Sequence, residues 1–71
     1  MKTQINISPY INSHAKQPRG RGYWAFCPTM HYRQTDYINH SFFASGTYAE
    51  AKAQAVEHFT KLGFASAVTL P

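Results

Sequence analysis

The chain has 71 residues, with seven Lys and Arg, three Asp and Glu and a single Cys, for a formal net charge of +4. This length predicts a single domain over residues 1–71 and excludes a deep pocket, because so short a chain buries only roughly 60% of its unfolded surface. One Cys excludes an internal disulfide, and no apolar run approaches ~20 residues. We therefore expect a cytoplasmic protein with no membrane partner, and the start of the chain has no signal-peptide pattern.

The first predicted strand lies within residues 3–11, where Ile5 and Ile7 alternate with polar residues. A period of two is typical of a half-buried strand, and Pro9 then ends it, which suits the edge of a sheet. Residues 12–22 contain no apolar side chain larger than Ala and are predicted to form a loop.

Two aromatic-rich segments predict the next pair of strands. Residues 21–27 form the first and end at Pro28, and residues 37–44 form the second, which Ser45 and Gly46 close. The polar stretch between the two segments is predicted to connect them as a hairpin.

A helix is predicted from Thr47 onwards. Thr47 and Glu50 fit a capping box, in which each side chain accepts a hydrogen bond from the other residue's backbone N–H. An Ala-rich segment follows, and Gly63 supplies a left-handed stop. A last strand is predicted over residues 65–70. The helix stripe predicted to face the sheet consists of Tyr48, Ala51, Ala55, Phe59 and Leu62.

These elements predict an α+β fold: a small three- to four-stranded, mainly antiparallel sheet with one helix packed on one face, in the order β-β-β-α-β. The larger apolar set is predicted under the helix and comprises Ile5, Ile7, Trp24, Phe26, Ile38, Phe42, Val68 and Leu70. Strand alternation then places on the other face Arg21, Tyr23, Ala25, Cys27, Tyr37, Asn39, Ser41, Phe43, Ala67 and Thr69.

This second face is predicted to be open, because one helix covers only one face of a sheet. An open face that carries several aromatic residues is a candidate binding surface. The alternative is that Tyr23, Tyr37 and Phe43 close a minor core under the 12–20 loop or in a homodimer. A homodimer through the N-terminal edge strand is a further possibility.

The scarcity of acidic residues excludes several kinds of catalysis. The only acidic side chains are Asp36, Glu50 and Glu57. Glycoside hydrolysis needs two carboxylates facing each other across a substrate, and phosphoryl transfer needs carboxylates that converge on a divalent cation. Because Glu50 and Glu57 share the solvated side of the predicted helix and Asp36 lies in a turn, we predict a protein that is not an enzyme and has no catalytic residue.

Cysteine and histidine residues are weak candidates for metal binding or nucleophilic catalysis. Cys27 and His31 are spaced as one loose pair, whereas structural zinc sites have two close pairs of ligands. Cys27 beside His31 or His40 has the residue types of a thiolate pair, yet a free Cys on an aromatic strand is more often a small hydrophobic residue. We predict no metal and no cofactor.

The net charge lies in the first half of the chain. Residues 1–36 contain five Lys and Arg and one Asp, whereas residues 37–71 contain two residues of each sign. Basic side chains beside an aromatic face predict contact with nucleic acid, since cations neutralise phosphates and rings stack on bases. The same residue types suit a protein–protein interface, which is the alternative. The candidate binding residues are Lys16, Arg19, Arg21, Tyr23, Arg33 and Phe43.

Three segments, residues 18–26, 46–55 and 68–71, look like parts of small accessory proteins of phages and plasmids. The layout of strands, capped Ala-rich helix and final strand is similar to that of some anti-CRISPR proteins. The resemblance covers most of the chain as an architecture, and it implies an inhibitor that binds a host defence nucleoprotein complex without catalytic residues. Because the chain is basic, such an inhibitor would contact an acidic protein surface or the guide RNA.

Overall fold

The computed structural model describes residues 2–70. Its strands and helices follow one another in the order β-α-β-β-α-β, and two short 3-10 helices, Thr29–His31 and Tyr37–His40, lie between the second and third strands. Within the described residues, no helix combines the length and the apolar composition that a membrane crossing requires. The elements are β1 (Gln4–Asn6), α1 (Ser8–His14), β2 (Arg21–Pro28), β3 (Phe42–Thr47), α2 (Tyr48–Leu62) and β4 (Ser66–Thr69).

The four strands form one sheet in the order β1-β4-β2-β3. β2 is antiparallel to both of its neighbours, and β1 runs parallel to β4 with Gln4 opposite Ser66. The fold class predicted from the sequence, α+β with a mainly antiparallel sheet and one helix packed on one face, is confirmed by the sheet and by α2. The predicted hairpin of β2 and β3 is also confirmed, and the structure adds one helix to the predicted order.

The core lies between α2 and one face of the sheet. Phe59 of α2 and Phe26 of β2 are fully buried there, and burial of one such ring contributes about 1.5–3 kcal/mol. The small side chains of Ala51 and Ala55 on the helix meet those of the sheet, including Ala67, so the helix lies close to the strands.

The two ends of α2 confirm the predicted caps. Thr47 Oγ1 accepts a hydrogen bond from the backbone N–H of Glu50 at 3.2 Å, and Glu50 Oε1 accepts one from the backbone N–H of Thr47 at 3.2 Å. Gly63 has a φ of +87°, and its N–H donates to the Thr60 carbonyl. Leu62 is the last residue of α2 and is 60% exposed, so its predicted place in the buried stripe was wrong.

A helix lies where the sequence predicts the start of a loop. Ser8–His14 forms α1, so the loop prediction for residues 12–22 was wrong over its first three residues. The prediction that Pro9 ends the first strand was also wrong, because β1 ends at Asn6. Pro9 instead lies in the first turn of α1, where its fixed φ and missing N–H cost nothing. Ile7 is the N-cap residue of α1, and Ala15 ends the helix with a φ of +58°.

The third strand begins later than its aromatic pattern indicates. Residues 37–40 form a 3-10 helix, in which the Tyr37 carbonyl accepts a hydrogen bond from Ser41 Oγ at 2.9 Å. The predicted positions of Tyr37 and Asn39 on the sheet face, and of Ile38 under the helix, were therefore wrong. Ile38 is 59% exposed.

β4 presents the faces opposite to those predicted. Ala67 belongs to the core beside α2, and the Thr69 hydroxyl lies 2.9 Å from the Tyr48 hydroxyl of that helix. Val68 is instead paired with Cys27 on the other side of the sheet. The physical reason is that the small Ala67 leaves room for α2, whereas the larger Val68 and Leu70 fit the other face.

Candidate nucleic-acid interface

The sheet face opposite α2 is covered at one end by the connection between β2 and β3. Cys27 and Val68 on this face are buried, and Cys27 Sγ lies 3.7 Å from the Tyr37 carbonyl oxygen of the connection. Burial raises the pKa of the Cys27 thiol, against an opposing hydrogen bond with Ser41. A minor core thus exists on this face, but it surrounds Cys27 and lies under the connection, at a distance in sequence from the 12–20 loop.

The other end of this face carries two exposed aromatic rings. Tyr23 is 74% exposed and Phe43 is 43% exposed. Their ring planes are within 12° of parallel and their centroids are 6.0 Å apart. The pairing of Tyr23 with Ser45 and of Phe43 with Ala25 makes them diagonal neighbours on adjacent strands. Two exposed rings that stack on each other leave apolar ring surface accessible, so a planar ligand can continue the stack.

Arg21 lies on the same face as Tyr23, because it precedes that residue by two positions on β2. In the described part of the chain, no carboxylate lies within ion-pair distance of Arg21. The nearby carboxylate of Glu50 is held by Thr47, whose side-chain and backbone hydrogen bonds lower the pKa of Glu50, and the Arg21 charge lowers that pKa further. We call the surface formed by Arg21, Tyr23 and Phe43 the aromatic patch.

A groove of about 390 Å³ adjoins the aromatic patch. Tyr10 and His14 of α1 line it together with Arg19, Arg21 and Tyr23, and we call it the α1–β2 groove. Two guanidinium groups and one imidazole therefore border the same space. No carboxylate of the described residues lines it.

The loop before β2 holds the remaining basic residues beside this groove. Lys16 and Arg19 line a second hollow of about 340 Å³ together with buried Pro18. The Gly20 carbonyl accepts a hydrogen bond from the backbone N–H of Tyr48 at 2.9 Å, which ties the loop to the start of α2. Lys16, Arg19 and Arg21 thus lie at the same end of the sheet as the aromatic rings.

Arg33 is the one predicted binding residue that the structure does not bring to this group. It lies in the connection beyond the opposite end of β2, and that strand alone spans about 23 Å. Tyr10 and His14, in turn, were not predicted, because α1 was not recognised. Tyr10 directly follows Pro9, and His14 lies four residues after Tyr10. This spacing is the sequence signal that indicates a shared helix face.

Histidine residues form a second cluster in the β2–β3 connection. The rings of His31 and His40 stack with centroids 3.7 Å apart, while Gln34 lies 2.8 Å from His31 Nδ1 and Asp36 lies 3.3 Å from His40 Nε2. Within residues 2–70, no group of three His, Cys, Asp or Glu side chains is placed to hold a metal ion. We assign this cluster to the packing of the connection.

Comparison of the chain with models of protein families, with curated proteins and with solved structures finds no match. No relative therefore supplies a ligand or a residue role. The candidate interface is defined by its own geometry, namely the parallel rings of Tyr23 and Phe43 with Arg21 beside them, and the basic α1–β2 groove that continues from this patch.

Proposed function

We propose that the chain is a non-catalytic protein that binds single-stranded nucleic acid on its aromatic patch. The observation that carries this proposal is the parallel, exposed ring pair of Tyr23 and Phe43 with Arg21 on the same strand face. Every base has an aromatic surface that can stack on such rings, and the adjacent cation neutralises the backbone phosphate. A single strand fits better than a duplex, because bases stacked in a duplex hide these surfaces.

The basic residues take different parts in this proposal. Arg21, Arg19 and Lys16 lie at the end of the sheet that carries the rings, and together they neutralise about three negative charges of the strand's phosphates. Arg33 lies beyond the other end of β2 and adds only to the general positive field. We place the protein in the cytoplasm, where reducing conditions keep Cys27 a free thiol.

Replacement of the exposed tyrosine tests the stacking contribution. Tyr23→Leu keeps an apolar side chain but removes the ring, so we expect the dissociation constant for a labelled single-stranded oligonucleotide to rise about 5- to 150-fold, from a stacking contribution of about 1–3 kcal/mol per base. Fluorescence anisotropy measures this constant. Leu62→Ala is the matched control, because it removes exposed apolar surface at the far end of α2. Equal effects of the two substitutions would contradict stacking on Tyr23.

Salt dependence tests the phosphate contacts. Three neutralised phosphate charges on a single strand predict a slope of about −2 for log affinity against log salt concentration, and Arg21→Ala makes that slope less negative by about 0.7. Lys52→Ala is the control, because it removes the same charge from an exposed position on α2. A slope near zero, or equal changes of slope in both variants, contradicts the proposal.

The second candidate function is inhibition of a host defence nucleoprotein complex, as the resemblance to anti-CRISPR proteins implies. It is favoured by the edge strand β3, whose outer side has no partner strand in the described chain, beside an exposed Phe43 and Arg21. Such an inhibitor binds free nucleic acid weakly and forms a stoichiometric complex with one protein target. A pull-down from host lysate with and without nuclease separates the two functions, because only a protein target stays bound after nuclease treatment.

A further inference from the structure

The α1–β2 groove exists because β4 pairs with only the second half of β2. The register between the two strands includes Phe26 opposite Thr69, and the Leu70 N–H donates to the Ala25 carbonyl at 2.9 Å. Beside residues 21–24 no strand of the described chain takes the place of β4, and α1 lies at this position instead. The groove is thus a gap between a helix and an unpaired length of strand.

This unpaired strand edge presents a backbone donor to the groove. The N–H and C=O of one residue point to the same side of a strand, and the side alternates from residue to residue. Because the Ala25 carbonyl bonds to Leu70, the C=O and the N–H of Tyr23 also point to the side of β4 and α1, and the N–H is the group of the two that can donate to an anion. It faces the space that Arg19 and Arg21 border.

The charge around the groove exceeds what an internal phosphodiester requires. Arg19 and Arg21 each carry a full positive charge, and His14 adds an imidazole, while the Glu50 carboxylate near Arg21 is held by Thr47. A phosphodiester has a single negative charge, whereas a phosphomonoester has a charge of about −1.5 to −2 and three acceptor oxygens. Guanidinium groups bind such oxygens through pairs of parallel hydrogen bonds, which makes them suited to a terminal phosphate.

The walls of the groove are held in place by aromatic packing. The His14 ring stacks on Tyr10 with centroids 4.2 Å apart, and Tyr10 lies 5.8 Å from the ring of Trp24. Trp24 is buried, and its Nε1–H donates to the Gly46 carbonyl at 3.3 Å. A preorganised wall reduces the entropy that a bound ligand must offset.

We propose that the α1–β2 groove is a phosphomonoester site that takes the terminal phosphate of a nucleic-acid strand. The inference deepens the proposed function and rests on it, since the bases next to that phosphate stack on Tyr23 and Phe43. Tyr23 borders both the groove and the aromatic patch, so one strand occupies both. The protein therefore binds strand ends in preference to the interior of a strand.

Oligonucleotides that differ only at their ends test this preference. One sequence is prepared with a 5′-phosphate, with a 3′-phosphate or with hydroxyl groups at both ends, and binding is measured by anisotropy. We expect one phosphorylated form to bind about tenfold more tightly than the hydroxyl form. We expect Arg19→Ala to bring the ratio of the two dissociation constants to about one, and Lys52→Ala on α2 to leave this ratio unchanged.

A second measurement separates failure of the site from failure of the proposed function. Inorganic phosphate and a nucleoside monophosphate are titrated into the wild-type protein while the NMR signals of His14 and Tyr10 are followed. Shifts of these signals without any oligonucleotide binding support the phosphomonoester site and overturn the proposed function. The opposite result is that the wild-type protein binds the phosphorylated and the hydroxyl oligonucleotides equally tightly and that phosphate shifts neither signal. That result overturns the site and leaves the proposed function standing.

Discussion

A polar pair of side chains links α2 to β4 within the core. Thr69 is fully buried on β4, and its Oγ1 lies 2.9 Å from the hydroxyl oxygen of Tyr48 on α2. Burial raises the pKa of the Tyr48 phenol, and the hydrogen bond with Thr69 opposes this rise. Each hydroxyl satisfies the other, so neither is left buried without a partner.

Removal of one member of this pair is expected to cost more than removal of both. Tyr48→Phe leaves the Thr69 hydroxyl buried without a partner, which lowers the free energy of unfolding by about 1–3 kcal/mol. The double variant Tyr48→Phe/Thr69→Val replaces both partners by apolar groups and recovers most of this loss. Urea denaturation of the two variants and the wild-type chain measures the difference. If the double variant is less stable than Tyr48→Phe, the pair does not act as described.

The orientation of β4 shows where residue-scale prediction from sequence fails. Hydrophobicity favours Val68 and Leu70 towards the helix, yet Ala67 and Thr69 face it. The choice depends on how closely α2 approaches and on whether the Thr69 hydroxyl finds Tyr48. Both depend on tertiary packing, which the local alternation of side chains does not contain.

At the scale of elements, the capping box at the start of α2 lies near a charged side chain of β2. Thr47 donates to and accepts from Glu50, while Arg21 on β2 lies near the same carboxylate. These contacts favour the ionised carboxylate and lower the pKa of Glu50 below its ordinary value of 4.5. The cap therefore depends on pH.

The sign of this dependence follows from the lowered pKa. A carboxyl group whose pKa is lower in the folded state stabilises the fold fully above its ordinary value of 4.5, and this contribution is lost as the pH falls through the lowered folded value. We expect the free energy of unfolding of Glu50→Gln to fall less steeply below pH 4.5 than that of the wild-type chain. Urea midpoints measured over acidic pH check this, and the same acid dependence in both proteins contradicts it.

Thr47 provides a separate test of the cap at neutral pH. Thr47→Ala removes the hydroxyl that accepts from the backbone N–H of Glu50, and we expect a loss of about 1 kcal/mol in the free energy of unfolding. Thr47→Ser keeps the hydroxyl and is the matched control. Urea denaturation compares the two, and equal stability of both variants would show that the cap contributes nothing.

The elements differ in how far the sequence predicts them. The bounds of α2 follow from the Thr47 cap, the Ala-rich interior and Gly63, each of which is a local signal. α1 has only seven residues and little apolar surface, so its periodicity is too short to recognise. Residues 37–40 are rich in strand-forming types, but the local hydrogen bond from Ser41 to the Tyr37 carbonyl favours a 3-10 turn.

At the scale of the whole molecule, the two faces of the sheet are covered to different extents. α2 closes one face, and the β2–β3 connection closes one end of the other face. Alternation along β2 and β3 was enough to place Tyr23 and Phe43 together on the uncovered end. The position of Arg33 depends on the path of the connection, which composition does not determine.

Cys27 lies on the sheet face opposite α2, at the end that the β2–β3 connection covers, and this position predicts how fast its thiol reacts. The thiol is buried and its pKa is raised by that burial, so we expect slow reaction with iodoacetamide at neutral pH. The rate is expected to increase with urea along the global unfolding transition, up to the rate of the urea-unfolded chain, which serves as the control. Rapid labelling that does not depend on urea would show that the connection opens independently of the rest of the fold.

The parallel pairing of β1 with β4 affects the order in which the molecule assembles. Thr3 donates from its backbone N–H to Thr60 Oγ1 at 2.9 Å across a separation of 57 residues, and β1 itself has only three residues. Such distant contacts close the longest loops in the chain and contribute little until the rest is in place. We expect β1 to dock after the transition state for folding. Substitutions in β1 then shorten the lifetime of the folded state while leaving the folding rate nearly unchanged.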